Sequence, residues 1–310
     1  MNRVSKLALI AIVLLSFVAL FAPYIANDQP YLFVNANGEI FFPAFRDYTK
    51  TRTLDFKLLK QQSGTTVWLP PVPFSPNEYN LEDSLNPPNR KHWLGTDEQG
   101  RDVLSRLLHG TRVSLLVGLL AVSLYSAIGV LMGALAGFFG GKIDFVISRF
   151  IEIVICFPTF FLILTILSVM PSSENGLFNI MLVIGLTSWT GIARLTRAEF
   201  LKLKTMPFVV SAKSMGFSKS RIMFRHMLPN ALPSVLVLMI FGMGSAILIE
   251  SSLSFLGFGV SPNTPSWGSL LSEAREYMDF AWWLSLFPGL AIFGTIVSFH
   301  ILGERLKGKS

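Results

Sequence analysis

Six apolar runs without a single charged residue divide the chain, at 7–25, 113–141, 153–170, 177–193, 227–249 and 280–303. Each is long enough for a helix to cross a hydrocarbon core, which takes about 20 residues. Between the first two lies a polar insert, 27–92. Within it, Tyr31 to Val34 and Glu39 to Phe42 flank Asn35-Ala36-Asn37-Gly38, which predicts a β-hairpin with positive φ at Asn37 and Gly38. Trp68 and the prolines at 70, 71, 73, 76, 87 and 88 predict extended, packed chain. The insert reads as a docking surface on the outer face or as a lid on the membrane domain.

The stretch from His92 to Arg112 predicts a helix over 96–110. Thr96 serves as N-cap, Asp97 and Glu98 fill the first turn, and Val103, Leu104, Leu107 and Leu108 form one face. With Arg101, Ser105 and Arg106 turned away from that face, it is expected to lie along the outer interface. A calcium loop is excluded by Gln99-Gly100-Arg101, which breaks the alternation of oxygen ligands. Farther on, Gly129, Gly133 and Gly137 form a stripe against which another helix can pack closely. Pro158 should kink the third span, with Arg149 and Glu152 as an i,i+3 pair before it. Glu250 marks the outer end of the fifth span, either as a gating or pathway residue or as a helix-end carboxylate in water. Gly257, Gly259, Pro262 and Pro265 then break the chain, and Trp267 reads as an interfacial anchor.

Segment 194–230 is a basic island between two spans, with eight Lys/Arg against the single acid Glu199. Met206 and Pro207 interrupt one helix there, Phe208 to Met215 form a short second one, Gly216 closes it as a left-handed cap, and Ser218 caps the next. Phe208, Val209, Met215 and Phe217 on so short a helix call for cover from a partner protein.

Composition agrees. Hydrophobic residues make up 51% and charged residues 15%, and mean hydropathy is +0.53, the profile of an integral membrane protein. The net charge of +7 is a matter of topology: the side holding the island, Arg3, Lys6 and the C-terminus is strongly basic and the opposite side acidic. Both termini are therefore expected in the cytoplasm, and nucleic acid is not an expected partner. A cleaved signal peptide competes for the first run, but Pro23 after Ala22 makes a poor processing site. Cys156 is the single cysteine, so intrachain disulfides and a cysteine metal site are excluded.

Catalytic chemistry is missing. Residues 303–310 match a phosphate loop letter for letter, yet a membrane run precedes them and no helix follows. His92, His109, His226 and His300 lie on different segments, and no span carries an aspartate. A secondary transporter or an intramembrane enzyme remains as an alternative class, the first lacking paired intramembrane acids and internal repeats, the second lacking a nucleophile with its base.

The blocks HWLGTDEQGRDVLSRLLHGTRVSLLVG, GFFGGKIDFVISR, FRHMLPN, ESSLSFLGFGV and PSWGSLL resemble the C-type permease subunit of oligopeptide and dipeptide ABC importers. The island resembles the signature of importer-type permeases, Glu-Ala-Ala, three residues, Gly, then Leu-Pro, with Val210 in place of the glutamate and Ser211 in place of the first alanine. IANDQP and Phe41 to Pro43 further resemble the Yej-type branch, associated with peptide and microcin C uptake. The resemblance implies an all-α type I importer permease fold: residues 1–26 as the first span, 27–92 as a periplasmic insert and 93–310 as the permease core. It also implies an inner-membrane location, a B-type permease partner, two ATP-binding cassette subunits that bind the ATP and magnesium, and a periplasmic peptide-binding protein. The chain itself would carry no cofactor. Nickel or another small solute is the alternative cargo, because related permeases carry nickel. By position, Ser211, Ala212 and Gly216 would shape a coupling helix, with Phe208, Lys213, Phe217 and Arg221 as its contacts to an ATPase and Glu250 as a gating residue.

Overall fold

A computed structural model describes residues 3–46, 48, 54–60, 64–170, 176–259 and 263–308; Val260, Pro262, Lys309 and Ser310 lie outside them. Helix α1 is Arg3–Ile25. The insert holds strands β1 (Leu32–Val34), β2 (Ile40–Phe41) and β3 (Thr66–Trp68) and the short helix α2 (Phe56–Leu59). Then come α3 (Val103–Phe139), α4 (Gly141–Ile155), α5 (Thr159–Val169), α6 (Gly176–Thr187), α7 (Thr190–Leu203), α8 (Pro207–Ser214) and α9 (Lys219–Arg221). A π-helical turn, Ile222–Met227, leads into α10 (Leu228–Leu253), which is followed by α11 (Trp267–Ala274) and α12 (Trp283–Lys307).

Among the described residues, five helical runs are long and apolar enough to cross a membrane, and a sixth crossing arises if the bent pair α4–α5 counts as one. The expected Pro158 kink is a break. Proline cannot donate to the preceding turn, the helix stops at Cys156, and the two halves meet at 81°.

Contacts divide the chain into two compact units. One comprises Met1–Ile12, Leu116–Gly259 and Phe293–Ser310. Its framework is the packing of α3 against α7 through the glycine stripe. A Cβ at Gly129 would lie 2.8 Å from Ile192 Cβ, one at Gly133 2.7 Å from Thr196 Cβ, and one at Gly137 2.6 Å from Phe200 Cβ. Real side chains do not approach so closely, so the helices touch only because these positions lack Cβ atoms. Gly133→Ala should accordingly destabilise this unit by about 1–3 kcal/mol through overpacking, read as a lowered unfolding temperature in detergent. An unchanged unfolding temperature would show that α7 is not held this closely.

The other unit comprises Val13–Leu115 and Val260–Ile292. Its sheet has the order β2-β1-β3, all antiparallel, over a core of Phe33, Phe56 and Val67. The hairpin is present with a different turn. Gly38 has φ +80°, but Asn37 does not adopt positive φ; the Asn35 carboxamide oxygen instead accepts from the N–H groups of Asn37 and Glu39, both at 2.9 Å.

The predicted helix over 96–110 starts only at Val103. Before it, Asp97 to Gly100 make a β-turn, with Gly100 N–H donating to Asp97 O at 3.0 Å and Gly100 at φ +71°. Aspartate first and glycine fourth is the turn's own signature. Thr96 is a bridge residue paired with Asp102, and Asp102 takes the capping role, accepting from Ser105 N–H at 2.7 Å. From Val103 the helix runs without interruption through Phe139.

Candidate functional site

The basic island is a bracket built around α8. Pro207 occupies the first turn, where its missing N–H costs nothing. Val209 and Ala212 face inward, onto a cluster with Phe200, Leu203, Ile222, Met223 and Met227. Phe208, Val210, Ser211, Lys213 and Met215 are exposed on the other side. The short helix thus buries one face and presents the other. Of the residues expected as contacts, Phe208, Lys213 and Arg221 are exposed and Phe217 is half-buried; of those expected to shape the helix, Ser211 is exposed and Ala212 packs into the core.

Gly216 ends α8 as expected. Its φ is +73°; its N–H donates to Lys213 O at 3.0 Å and Phe217 N–H to Ala212 O at 3.1 Å, the double bond pattern of a Schellman cap. No heavy atom lies within 4 Å of a Cβ built there, so the backbone alone requires glycine. Ser218 accepts from Arg221 N–H at 3.4 Å and opens α9. The Arg221 guanidinium lies 4.1 Å from the centre of the Phe217 ring, whose other neighbour is His226 at 5.7 Å. The π-helical turn follows at once, so the bracket enters α10 through a non-α segment.

Two side chains fasten the bracket to the helices before it. Arg197 on α7 forks onto Asp144 of α4, with Nη2 2.7 Å from Oδ2, and Lys204 Nζ donates to Phe138 O at 2.9 Å. Arg149 and Glu152 form the expected pair at 2.6 Å, both well exposed, where such a pair contributes little.

Glu250 is not a carboxylate in water. The helix continues past the expected end at Ile249, and the side chain is fully buried, accepting from Ser254 Oγ at 2.9 Å and Ser251 Oγ at 3.4 Å. Just beyond, Gly257 turns the chain at φ +88°. The expected anchor Trp267 is also fully buried, with its backbone N–H donating to Ser114 Oγ at 3.1 Å.

A second charged site escaped the sequence reading. Arg101 and Arg106 are fully buried, not turned to solvent. Asp97 Oδ2 accepts from Arg101 Nε and Arg106 Nη1, both at 2.7 Å, while the Glu273 oxygens accept from Arg101 Nη2 at 2.9 Å and Arg106 Nη2 at 2.8 Å. Burial pushes the Glu273 carboxyl up to about 8 against the pull of Arg101. Four groups from three segments are cross-braced here, and the arrangement can hold a structure but offers no nucleophile.

The profile of the family described as binding-protein-dependent transport system inner membrane component matches residues 129–309. A glutathione transport system permease protein, GsiD, of Pectobacterium atrosepticum is 39% identical over 237 residues, covering 76% of this chain and 78% of that protein. The inner membrane ABC transporter permease protein YejE of Escherichia coli K12 is 35% identical over 322 residues, covering 99% and 92%. Among solved structures, an inward-facing MetNI methionine ABC transporter superposes with a TM-score of 0.54 at 15% identity, over 67% of this chain and 97% of that one, a likeness of fold. The match spans the α3–α7 framework, the bracket around α8, and α10 to α12, and the chain belongs to the family of binding-protein-dependent transport system inner membrane components.

Proposed function

We propose that this chain is the C-type permease subunit of an ATP-driven importer of peptides, working by alternating access in the inner membrane with both termini in the cytoplasm. Its partners are a B-type permease, two ATP-binding cassette subunits that bind ATP and magnesium, and a periplasmic peptide-binding protein. The observation that carries the reading is α8: a short helix with one face sealed onto the core and the other open, capped by a glycine that the backbone alone requires. Phe208, Ser211, Lys213 and Phe217 supply the surface offered to an ATPase, and Arg221 braces Phe217. Val210 stands where the family signature has glutamate, so this face offers an apolar contact there in place of a charge.

A coupling element transmits work only if its contacts differ between the two states of the transporter. The π-helical turn joins the bracket to α10, and Glu250 lies near the far end of that same helical run, where the proposal places a gating residue of the pathway. Peptide cargo is supported by the dipeptide, oligopeptide and glutathione permeases to which the chain is similar. Proteoliposomes holding the full complex should take up labelled peptide only when ATP reaches the ATPase subunits and the binding protein is present. Uptake that follows an imposed proton gradient without nucleotide would instead establish a secondary transporter.

A further inference from the structure

An unbroken series of aromatic rings leaves α1 and continues onto the insert. Ring centres are 4.5 Å apart from Phe17 to Phe21, 6.5 Å from Phe21 to Tyr24, 5.5 Å from Tyr24 to Phe45, 6.1 Å from Phe45 to Tyr31 and 6.0 Å from Tyr31 to Trp68. The Tyr31 hydroxyl donates to Tyr24 O at 2.5 Å, tying the start of the sheet to the last turn of the helix. The rings are not core: Trp68 is 65% exposed, Phe45 64% and Phe17 52%.

On α1, Phe17, Phe21 and Tyr24 share one face with the exposed Leu14. That face belongs to an apolar run long enough to span a membrane, where exposed apolar side chains meet hydrocarbon unless another chain covers them. The descent from Tyr24 to Phe17 is about 10 Å at 1.5 Å per residue, which sets Tyr24 near the surface when Phe17 is inside. Rings joined to this face at its upper end meet the same medium where it turns polar. Tyrosine and tryptophan favour that depth, since an apolar body and a polar tip are both accommodated there. Arg46, exposed beside Phe45, provides a cation for lipid phosphate. β3 is an edge strand, and a bilayer surface also shields the edge from pairing with other chains.

We propose that the insert is seated in the lipid headgroup layer beside α1, through Trp68, Phe45 and Tyr31, and that its exposed aromatic side is a membrane-contact surface and not a docking site for a soluble partner. The seat is independent of the importer reading. To test it, the complete transporter carrying Cys156→Ser is spin-labelled at Trp68→Cys, at Phe45→Cys or at Asn37→Cys. Asn37, in the exposed hairpin turn, serves as the reference. The samples are placed in vesicles of phosphatidylethanolamine and phosphatidylglycerol. Labels at 68 and 45 should collide with a water-soluble nickel chelate several-fold less often than the label at 37 while remaining open to oxygen. Brominated lipid should also quench the part of the tryptophan emission that Trp68→Phe removes, a measurement that spares the fold if the cysteine variants misfold. Equal access of the chelate at all three positions would overturn the proposal. So would shielding of 68 and 45 from both chelate and oxygen, which is the mark of a protein interface.

Discussion

Replacing Asp97 with alanine should cost about 3–5 kcal/mol of stability, the range for breaking one member out of a buried ion network. The side chain accepts from both buried arginines through Oδ2, and Oδ1 accepts from the N–H groups of Gln99 at 2.9 Å and Arg101 at 3.0 Å. Alanine therefore removes the turn's internal acceptor and leaves two guanidinium groups to share Glu273. Neither arginine reaches water, so the loss is not recovered by solvation. The expected result is failure to accumulate in the membrane, or a much reduced unfolding temperature. Asp97→Asn should recover part of it, since the amide oxygen still serves the backbone N–H groups. An Asp97→Ala protein as stable as the parent would mean that the four groups are not paired as described.

Gly216→Val has the largest expected effect on function. A β-branched residue at φ +73° clashes with its own backbone, a penalty of the order of 1–2 kcal/mol or more. The site has open space for the side chain, so relief must come from the backbone, by opening the two cap hydrogen bonds and turning Phe217 off Arg221 and His226. The buried face of α8, with Val209 and Ala212, stays intact, and the subunit should still fold and insert. What changes is the direction and order of the exposed face. Gly216→Asn, which tolerates the left-handed region better, should fall in between.

Much of this was legible along the chain because it is local. The apolar runs, the four-residue spacing of Gly129, Gly133 and Gly137, and the Pro207-to-Gly216 punctuation are each decided by residues within one helix or turn. The parts that were not legible depend on distant partners. Arg101 and Arg106 looked like the wet side of an amphipathic helix because their acceptor, Glu273, lies about 170 residues away in sequence. Glu250 looked like a span terminus because charge normally stops a span, yet Ser251 and Ser254 supply hydroxyls that let the helix carry it inside. The start of α3 was misplaced for a different reason: Asp97-Glu98-Gln99-Gly100 satisfies both a helix first turn and a β-turn, and Gly100 in place of a helix former was the discriminating residue. At Pro158 the sequence marked the position of a kink without its 81° angle.

The most direct test of the transmission role proposed for α8 is peptide uptake and ATP hydrolysis measured together in the same proteoliposomes, for the parent complex and for Gly216→Val. Uptake should collapse in the variant while the subunits remain in the membrane, with hydrolysis either lost or no longer raised by peptide-loaded binding protein. Parental uptake per ATP hydrolysed in Gly216→Val would contradict it.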